Sequence, residues 1–176
     1  CYRRPYGLLS SERRRISMKL FHGSNINIEQ IDFLKSKVGK DFGCGFYLSA
    51  QREQAQEMAE KKAEQTGQGT PIVNEYEFDE TMLDNETLSV LRFDGYSREW
   101  AEFVLLNRKN RTRVSSHSYD IVIGPIANDT VGYQIRRYIA EIISMEQFIE
   151  ELKYMKGISF QYFFGTEKAI KYLKKC

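Results

Sequence analysis

The chain has 176 residues, of which 41% are hydrophobic and 28% are charged, and its formal net charge is +2. This composition is typical of one globular domain with a full core and excludes a disordered chain. The net charge is too nearly balanced to argue for nucleic-acid binding by charge alone. No stretch approaches the length of a membrane-spanning helix. The three cysteines are not spaced as metal ligands. We therefore expect a reduced, cytoplasmic protein without a metal site.

Positive charge is concentrated at the front of the chain. Residues 1–17 carry a net charge of +4, from Arg3, Arg4, Arg13, Arg14 and Arg15 against Glu12, and the remainder carries −2. We interpret residues 1–17 as a basic extension, either upstream sequence or a cloning remnant. Residues 18–176 are then the single domain, with Met18 as its natural start. The alternative is a basic arm that contacts nucleic acid or anionic lipid.

The first elements lead into a glycine-rich segment. Residues 19–22 are predicted to form a strand, residues 25–33 a loop with one helical turn, and residues 35–40 a basic loop. Gly43 and Gly45 bracket one residue, which allows a tight turn or a close approach to a ligand. The run over residues 46–48 is short and β-prone.

Ser49 is predicted to cap a helix over residues 51–65, because serine hydroxyls accept well from free N–H groups at a helix start. Ala55, Met58 and Ala59 fall on one face of this helix at the spacing of core contacts. Glycine and proline over residues 66–71 end the helix, and alternation over residues 72–78 predicts a strand.

A second helix is predicted in the middle of the chain. Residues 88–93 form a weak strand, and Ser97 then caps a helix over residues 98–108, with Trp100 and Val104 on its apolar face. The cationic run over residues 108–113 is either a solvated turn or a phosphate contact.

The last third of the chain alternates strands and helices. A strong strand over residues 119–124 precedes Asp129, which is expected to cap a helix over residues 130–143. Ser144 and Gln147 form a capping box for a helix over residues 145–154. The last strand covers residues 158–164, and Thr166 caps a final helix over residues 167–174. This order favours an α+β fold with a mixed or antiparallel sheet pair and argues against a Rossmann unit.

Two segments resemble a known enzyme group. Residues 22–24 (His-Gly-Ser) and 43–49 (Gly-Cys-Gly-Phe-Tyr-Leu-Ser) resemble the His-Gly-Ser/Thr and Gly-x-Gly-aliphatic-Tyr-aromatic-small segments of the diphtheria-toxin and poly(ADP-ribose) polymerase branch of ADP-ribosyltransferases. With residues 119–129 and 161–169, they make residues 18–176 similar to a bacterial family of small ADP-ribosyltransferase-like proteins. The resemblance implies a split sheet pair with flanking helices and a cleft that binds NAD as substrate.

The resemblance also implies residue roles. His22 would hydrogen-bond a hydroxyl of the adenosine-side ribose, the backbone of Gly23 would pair with the nicotinamide carboxamide, and Tyr47 would stack on the nicotinamide ring. Four further residues are implied to bind NAD by their positions in the matching segments: Ser24, Gly45, Ser49 and Met58. Met58 stands where the polymerases carry a second stacking tyrosine.

Gln161 stands where the polymerase branch has a glutamate beside the nicotinamide ribose. Breaking the nicotinamide–ribose bond leaves positive charge on the sugar, and a hydrogen-bond acceptor beside the 2′-hydroxyl stabilises that charge by roughly 3 kcal/mol. Glutamine can accept but carries no charge, which argues against chain elongation and leaves single transfer, slow NAD hydrolysis or binding without turnover. Glu167 is the rival acid. Asn128 and Asp129 are further candidates for orienting substrate, with helix capping as their alternative role.

The sequence thus predicts an NAD-dependent mono-ADP-ribosyltransferase, toxin-like in type, with His22, Tyr47 and Gln161 as its catalytic residues. Its acceptor is a protein, a nucleic acid or a small molecule, and an antitoxin is a candidate partner. The alternatives are a non-catalytic NAD or nucleotide-binding module, an NAD glycohydrolase, a hydrolase with Cys44 activated by His22, and a nucleic-acid-directed factor that uses the basic runs. No role is assigned to His117.

Overall fold

Seven strands and five α-helices are present in residues 16–176, the part of the chain that this computed structural model describes. In chain order the strands are β1 (Ser17–Ser24), β2 (Phe46–Leu48), β3 (Ile72–Asp79), β4 (Val90–Arg92), β5 (Ile121–Pro125), β6 (Phe160–Phe164) and β7 (Leu173–Lys175). The helices are α1 (Arg52–Thr66), α2 (Arg98–Lys109), α3 (Asp129–Ile139), α4 (Met145–Leu152) and α5 (Glu167–Ile170).

The strands form two sheets. The three-stranded sheet has the order β1-β3-β7 and is antiparallel throughout. The four-stranded sheet has the order β2-β6-β5-β4, and within it only the β4–β5 pair is parallel. The predicted α+β class, with one antiparallel and one mixed sheet, is therefore confirmed. The finer ADP-ribosyltransferase-like arrangement stays a prediction.

Two apolar clusters hold these layers together. Leu20, Phe78 and Phe164 belong to a cluster that both sheets share. Trp100, Val104 and Phe163 belong to a second cluster, which joins the four-stranded sheet to the helices. Phe163 and Phe164 are consecutive on β6, so their side chains point to opposite faces of the sheet. The four-stranded sheet is consequently covered on both faces.

A single residue pair connects the two sheets edge to edge. The N–H of Phe21 donates to the backbone oxygen of Ser49 at 2.8 Å, and the N–H of Ser49 donates to the oxygen of Phe21 at 2.8 Å. No other β1–β2 pairing is present in the described residues. Beyond this pair the two strands part and leave a gap between them.

Three predicted helix caps are confirmed, because each depends only on residues three positions apart. The hydroxyl of Ser97 accepts from the N–H of Trp100, and the hydroxyl of Thr166 accepts from the N–H of Ala169. Ser144 forms the predicted capping box with Gln147 at the start of α4.

Two other cap predictions are wrong. Asn128, not Asp129, caps α3, since its Oδ1 accepts from the N–H of Val131 at 2.9 Å. Asp129 lies inside the first turn, where negative charge is also favourable. Ser49 does not cap α1; its hydroxyl accepts from the N–H of Gln51, one residue before the helix begins at Arg52.

Several predicted boundaries also change. The helix expected to reach residue 143 ends at Ile139, and Glu141 follows with a φ of 59°, which no α-helix accommodates. The final helix ends at Ile170, because the chain then becomes β7 and pairs with β3. Met58 is 58% exposed, so the buried face of α1 consists of Ala55 and Ala59.

The predicted basic extension lies outside the described residues apart from residues 16 and 17, and β1 already begins at Ser17. Within residues 16–176, no helix combines the length and the hydropathy needed to cross a membrane. In the same range, no cluster of His, Cys, Asp or Glu side chains is arranged to hold a metal ion.

Candidate functional site

A cavity of about 820 Å³ opens between the end of β1, the start of β2 and the segment that joins them. We call residues 25–45, which connect β1 to β2, the covering loop. Of the residues predicted to bind NAD, four line this cavity: His22, Ser24, Gly45 and Tyr47. The volume lies within the range of about 300–1,000 Å³ that small-molecule and cofactor sites occupy.

The imidazole of His22 is fixed in one orientation. Its Nδ1 lies 2.6 Å from the backbone oxygen of Tyr47, and because a carbonyl can only accept, Nδ1 carries the proton. The ring also stacks on Phe46 at 4.3 Å between centroids. Burial lowers the pKa of His22 to about 4, although the hydrogen bond to Tyr47 opposes this. The ring is therefore neutral near pH 7, and Nε2 is an acceptor without a partner among the described residues.

Tyr47 holds the glycine-rich turn that precedes it. Its hydroxyl donates to the backbone oxygen of Gly43 at 2.7 Å and accepts from the N–H of Phe42 at 3.0 Å. Burial raises the pKa of Tyr47 well above its usual value, so the phenol stays protonated. The ammonium of Lys40 lies 4.4 Å from the ring centroid. A flat ligand that stacks on this face has to displace Lys40.

The motif glycines have a packing reason of their own. A Cβ on Gly23 would lie 2.0 Å from the backbone oxygen of Ala55, because α1 packs directly on β1. A Cβ on Gly45 would lie 2.2 Å from the ring of Phe163. Gly43 has a φ of 98°, which only glycine adopts readily. These glycines are therefore required by the fold, whatever else they do.

Gly23 also presents its backbone to the gap between β1 and β2. Phe21 directs both of its backbone groups towards Ser49, and alternate residues of a strand point the same way, so Gly23 does too. The antiparallel register places Gly23 opposite Tyr47, but the oxygen of Tyr47 is taken by His22. The N–H and C=O of Gly23 therefore face the gap without a partner in the described residues.

Gln161 lies on β6 and does not line the cavity. Its Nε2 donates to Oδ2 of Asp41 at 3.4 Å, while Oδ1 of Asp41 accepts from Nε of Arg108 at 2.6 Å. Glu167, the rival acid, does line the cavity. The predicted grouping of His22, Tyr47 and Gln161 in one cavity thus holds for the first two residues only.

The other predicted binding residues also lie outside the cavity lining. Ser49 is buried, and its hydroxyl donates to Oε1 of Gln54 at 2.8 Å. Met58 projects from the exposed side of α1. Gly23 reaches the site through its backbone alone. The NAD-binding roles of these residues stay predictions.

Four lysines lie in or beside the cavity. Lys35, Lys40 and Lys62 line it, and Lys37 is close enough to repel Lys40 and Lys62. Burial lowers the pKa of Lys62, and repulsion from Lys37 and Lys35 lowers it further. No ion pair neutralises these lysines within residues 16–176. An anionic group bound here would relieve their mutual repulsion.

The cationic run over residues 108–113, at the end of α2 and just after it, anchors the covering loop. The guanidinium of Arg113 donates to the backbone oxygens of Leu34 at 2.9 Å and Ser36 at 3.1 Å, and Arg108 pairs with Asp41. Residues 111–113 are exposed and lie at a bend, as expected for a solvated turn, but the contacts of Arg108 and Arg113 with the covering loop were not predicted. The run of arginines was the only sequence signal for this role.

His117, for which no role was predicted, also anchors this loop. Its Nδ1 accepts from the N–H of Tyr119 at 3.2 Å, so Nε2 carries the proton and donates to the oxygen of Phe42 at 2.7 Å. Cys44 contacts the oxygen of Lys37 at 3.7 Å through its sulfur, and the ring of His22 is engaged with Tyr47 and Phe46. These contacts give no support to a Cys44–His22 pair.

Comparison with known proteins adds one match. Residues 18–175 match the family model described as "Protein of unknown function (DUF3990)". No curated protein and no solved structure matches the chain. Because the match covers almost the whole chain, the protein belongs to the DUF3990 family.

Proposed function

We propose that the protein is an NAD-dependent mono-ADP-ribosyltransferase. The observation that carries this proposal is the gap between β1 and β2, where the N–H and C=O of Gly23 face outward next to His22 and Tyr47. A carboxamide has one acceptor oxygen and one donor NH₂ group, which complement these two backbone groups. Nicotinamide carries such a group, and Tyr47, which stands opposite Gly23 in the register, lines the cavity.

The rest of the cavity suits the other half of a dinucleotide. The unprotonated Nε2 of His22 can accept from a ribose hydroxyl, and Lys40 and Lys62 can pair with a pyrophosphate. Displacement of Lys40 from Tyr47 would free the ring face for nicotinamide and bring the ammonium to the phosphates. These contacts account for binding, and transfer then depends on a group beside the nicotinamide ribose.

Two measurements test the proposal. Thermal unfolding with increasing NAD reports binding, because a ligand that binds only the folded state raises its stability. Incubation with labelled NAD and cell lysate then reports free nicotinamide and labelled acceptor. We expect stabilisation, nicotinamide release and transferred label. Absence of all three would overturn the proposal.

A non-catalytic NAD-binding module is the second candidate, and it is favoured by the amide of Gln161 in the place of a carboxylate. It predicts stabilisation by NAD without nicotinamide release. Release of nicotinamide with free ADP-ribose and no labelled acceptor would instead indicate an NAD glycohydrolase. The variants Gln161→Ala and Glu167→Gln decide which side chain supports turnover, since Glu167 lines the cavity whereas Gln161 contacts Asp41 beyond its lining.

A further inference from the structure

Asp41 joins three separate parts of the fold. It belongs to the covering loop, and its two carboxylate oxygens contact Arg108 at the end of α2 and Gln161 on β6. The side chain of Asp41 is 13% exposed and that of Arg108 is 25% exposed. Because Arg108 holds Oδ1 at 2.6 Å, the carboxylate is fixed with Oδ2 directed at Gln161.

The contact with Asp41 determines which end of the Gln161 amide is free. A carboxylate only accepts, so the NH₂ group of the amide faces Asp41, and the amide oxygen is turned away. No described residue hydrogen-bonds that oxygen. Continuing the β2–β6 register beyond Leu48 places Gln161 opposite Ser49, which pairs with Phe21. Gln161 therefore lies in the same row as Phe21 and Ser49, two residues along the strands from the row of Gly23 and Tyr47 that borders the gap.

We propose that Asp41 is a positioning residue for Gln161, and that its carboxylate, held by Arg108, strengthens the amide oxygen as a hydrogen-bond acceptor. The inference rests on the proposed function. Hydrogen bonds in a chain polarise one another, so a carboxylate on the NH₂ group makes the amide oxygen a stronger acceptor. Asp41 and Gln161 together then offer the 2′-hydroxyl of the ribose a stronger acceptor than an amide alone.

The chemical step is a transfer at the anomeric carbon. The bond from C1′ to the nicotinamide nitrogen breaks, and its electron pair stays on that nitrogen, so nicotinamide leaves neutral. The ribose carries the positive charge until a nucleophile of the acceptor, or water, bonds to C1′ and releases its proton to solvent. Gln161 and Asp41 form no bond to the substrate. They lower the energy of the cationic sugar.

The test compares single substitutions with an exchanged pair. Asp41→Asn keeps the size of the side chain and an oxygen for Arg108, but removes the charge. We expect nicotinamide release to fall roughly 10- to 100-fold while the dissociation constant for NAD stays within about twofold. The double variant Asp41→Asn with Gln161→Glu returns one carboxylate and one amide to the pair, and we expect it to regain most of the lost rate.

The variant Arg108→Gln separates the effect of Asp41 on Gln161 from the effect of anchoring the covering loop. It removes the ion pair of Asp41 but leaves both members of the Asp41–Gln161 pair. A loss of rate as large as that of Asp41→Asn, together with no recovery in the exchanged pair, would overturn the inference while the proposed function stands. A wild-type protein that neither binds NAD nor releases nicotinamide would overturn both. Thermal unfolding of each variant confirms that the rates refer to folded protein.

Discussion

His22 and Tyr47 are joined by a hydrogen bond of 2.6 Å from an imidazole N–H to a backbone oxygen, at the point where β1 and β2 part. In a continuous sheet the oxygen of Tyr47 would accept from the backbone of Gly23. The side chain of His22 takes that place, which leaves the backbone groups of Gly23 free. One side-chain bond thus ends the pairing of two strands and opens a polar gap between them.

The first prediction separates the two ring nitrogens of His22. Asparagine can place an NH₂ group where Nδ1 lies, so His22→Asn keeps the bond to Tyr47 but loses Nε2 and the stacking on Phe46. We expect it to weaken NAD binding about 3- to 10-fold, which corresponds to one hydrogen bond. Titration calorimetry measures the change. An unchanged affinity would show that Nε2 does not contact the ligand.

The second prediction concerns pH. The pKa of His22 is about 4 in the folded protein against 6.5 for an ordinary histidine, so the unfolded chain binds the proton first as the pH falls. The corresponding stability is fully present above pH 6.5 and is lost between pH 6.5 and pH 4, by up to about 3 kcal/mol. We expect wild type to lose that much more than His22→Asn in urea unfolding across this window. Parallel losses would contradict the prediction.

The third prediction concerns the lysines. Lys62→Gln removes a charge that Lys35 and Lys37 repel, so we expect weaker binding of NAD and of inorganic pyrophosphate with no loss of thermal stability. The neighbouring exposed residue offers a matched control, Lys61→Gln, which removes a lysine that does not line the cavity. The difference should shrink as salt is added. Equal binding by the two variants would exclude an anion site at Lys62.

The fourth prediction tests which residue caps α3. Asn128→Ala removes the acceptor for the N–H of Val131, and we expect it to lower the free energy of unfolding by about 1 kcal/mol. Asp129→Asn removes only a charge in the first turn, worth about 0.3–1 kcal/mol at low salt. Denaturant unfolding at low and high salt distinguishes them, because only the effect of Asp129→Asn should fade with salt.

The fifth prediction compares two glycines. Gly23→Ala would push a methyl group into the backbone of α1, so we expect a loss of at least about 3 kcal/mol or no folded protein. Gly132→Ala adds its methyl group within α3, where the nearest atom is the flexible end of Arg136 at 3.6 Å. It should raise stability by roughly 0.5–1 kcal/mol, as measured by thermal unfolding. Equal changes in stability from Gly23→Ala and Gly132→Ala would contradict the close packing of β1 on α1.

Local features were predictable because both partners of each interaction lie close together in the chain. Ser97, Ser144 and Thr166 cap helices through residues three positions away, and the alternation over residues 72–78 describes β3. The wrong cap prediction for α3 was also local, since Asn128 and Asp129 are adjacent and either side chain could cap the helix. The strand formed by residues 173–175 was not predictable, because pairing with β3 overrides their local helical pattern.

The sequence by itself determined the α+β class and most of the helix starts, and its resemblance to a known enzyme group implied that His22 and Tyr47 share one cavity. Only the tertiary structure decided which way Gly23 faces, that Arg113 and His117 anchor the covering loop, and that Gln161 meets Asp41. Asp41 and Gln161 are 120 positions apart, and His117 and Phe42 are 75 positions apart. Contacts at such separations depend on strand register, and a shift of one residue would turn every side chain of the strand to the other face.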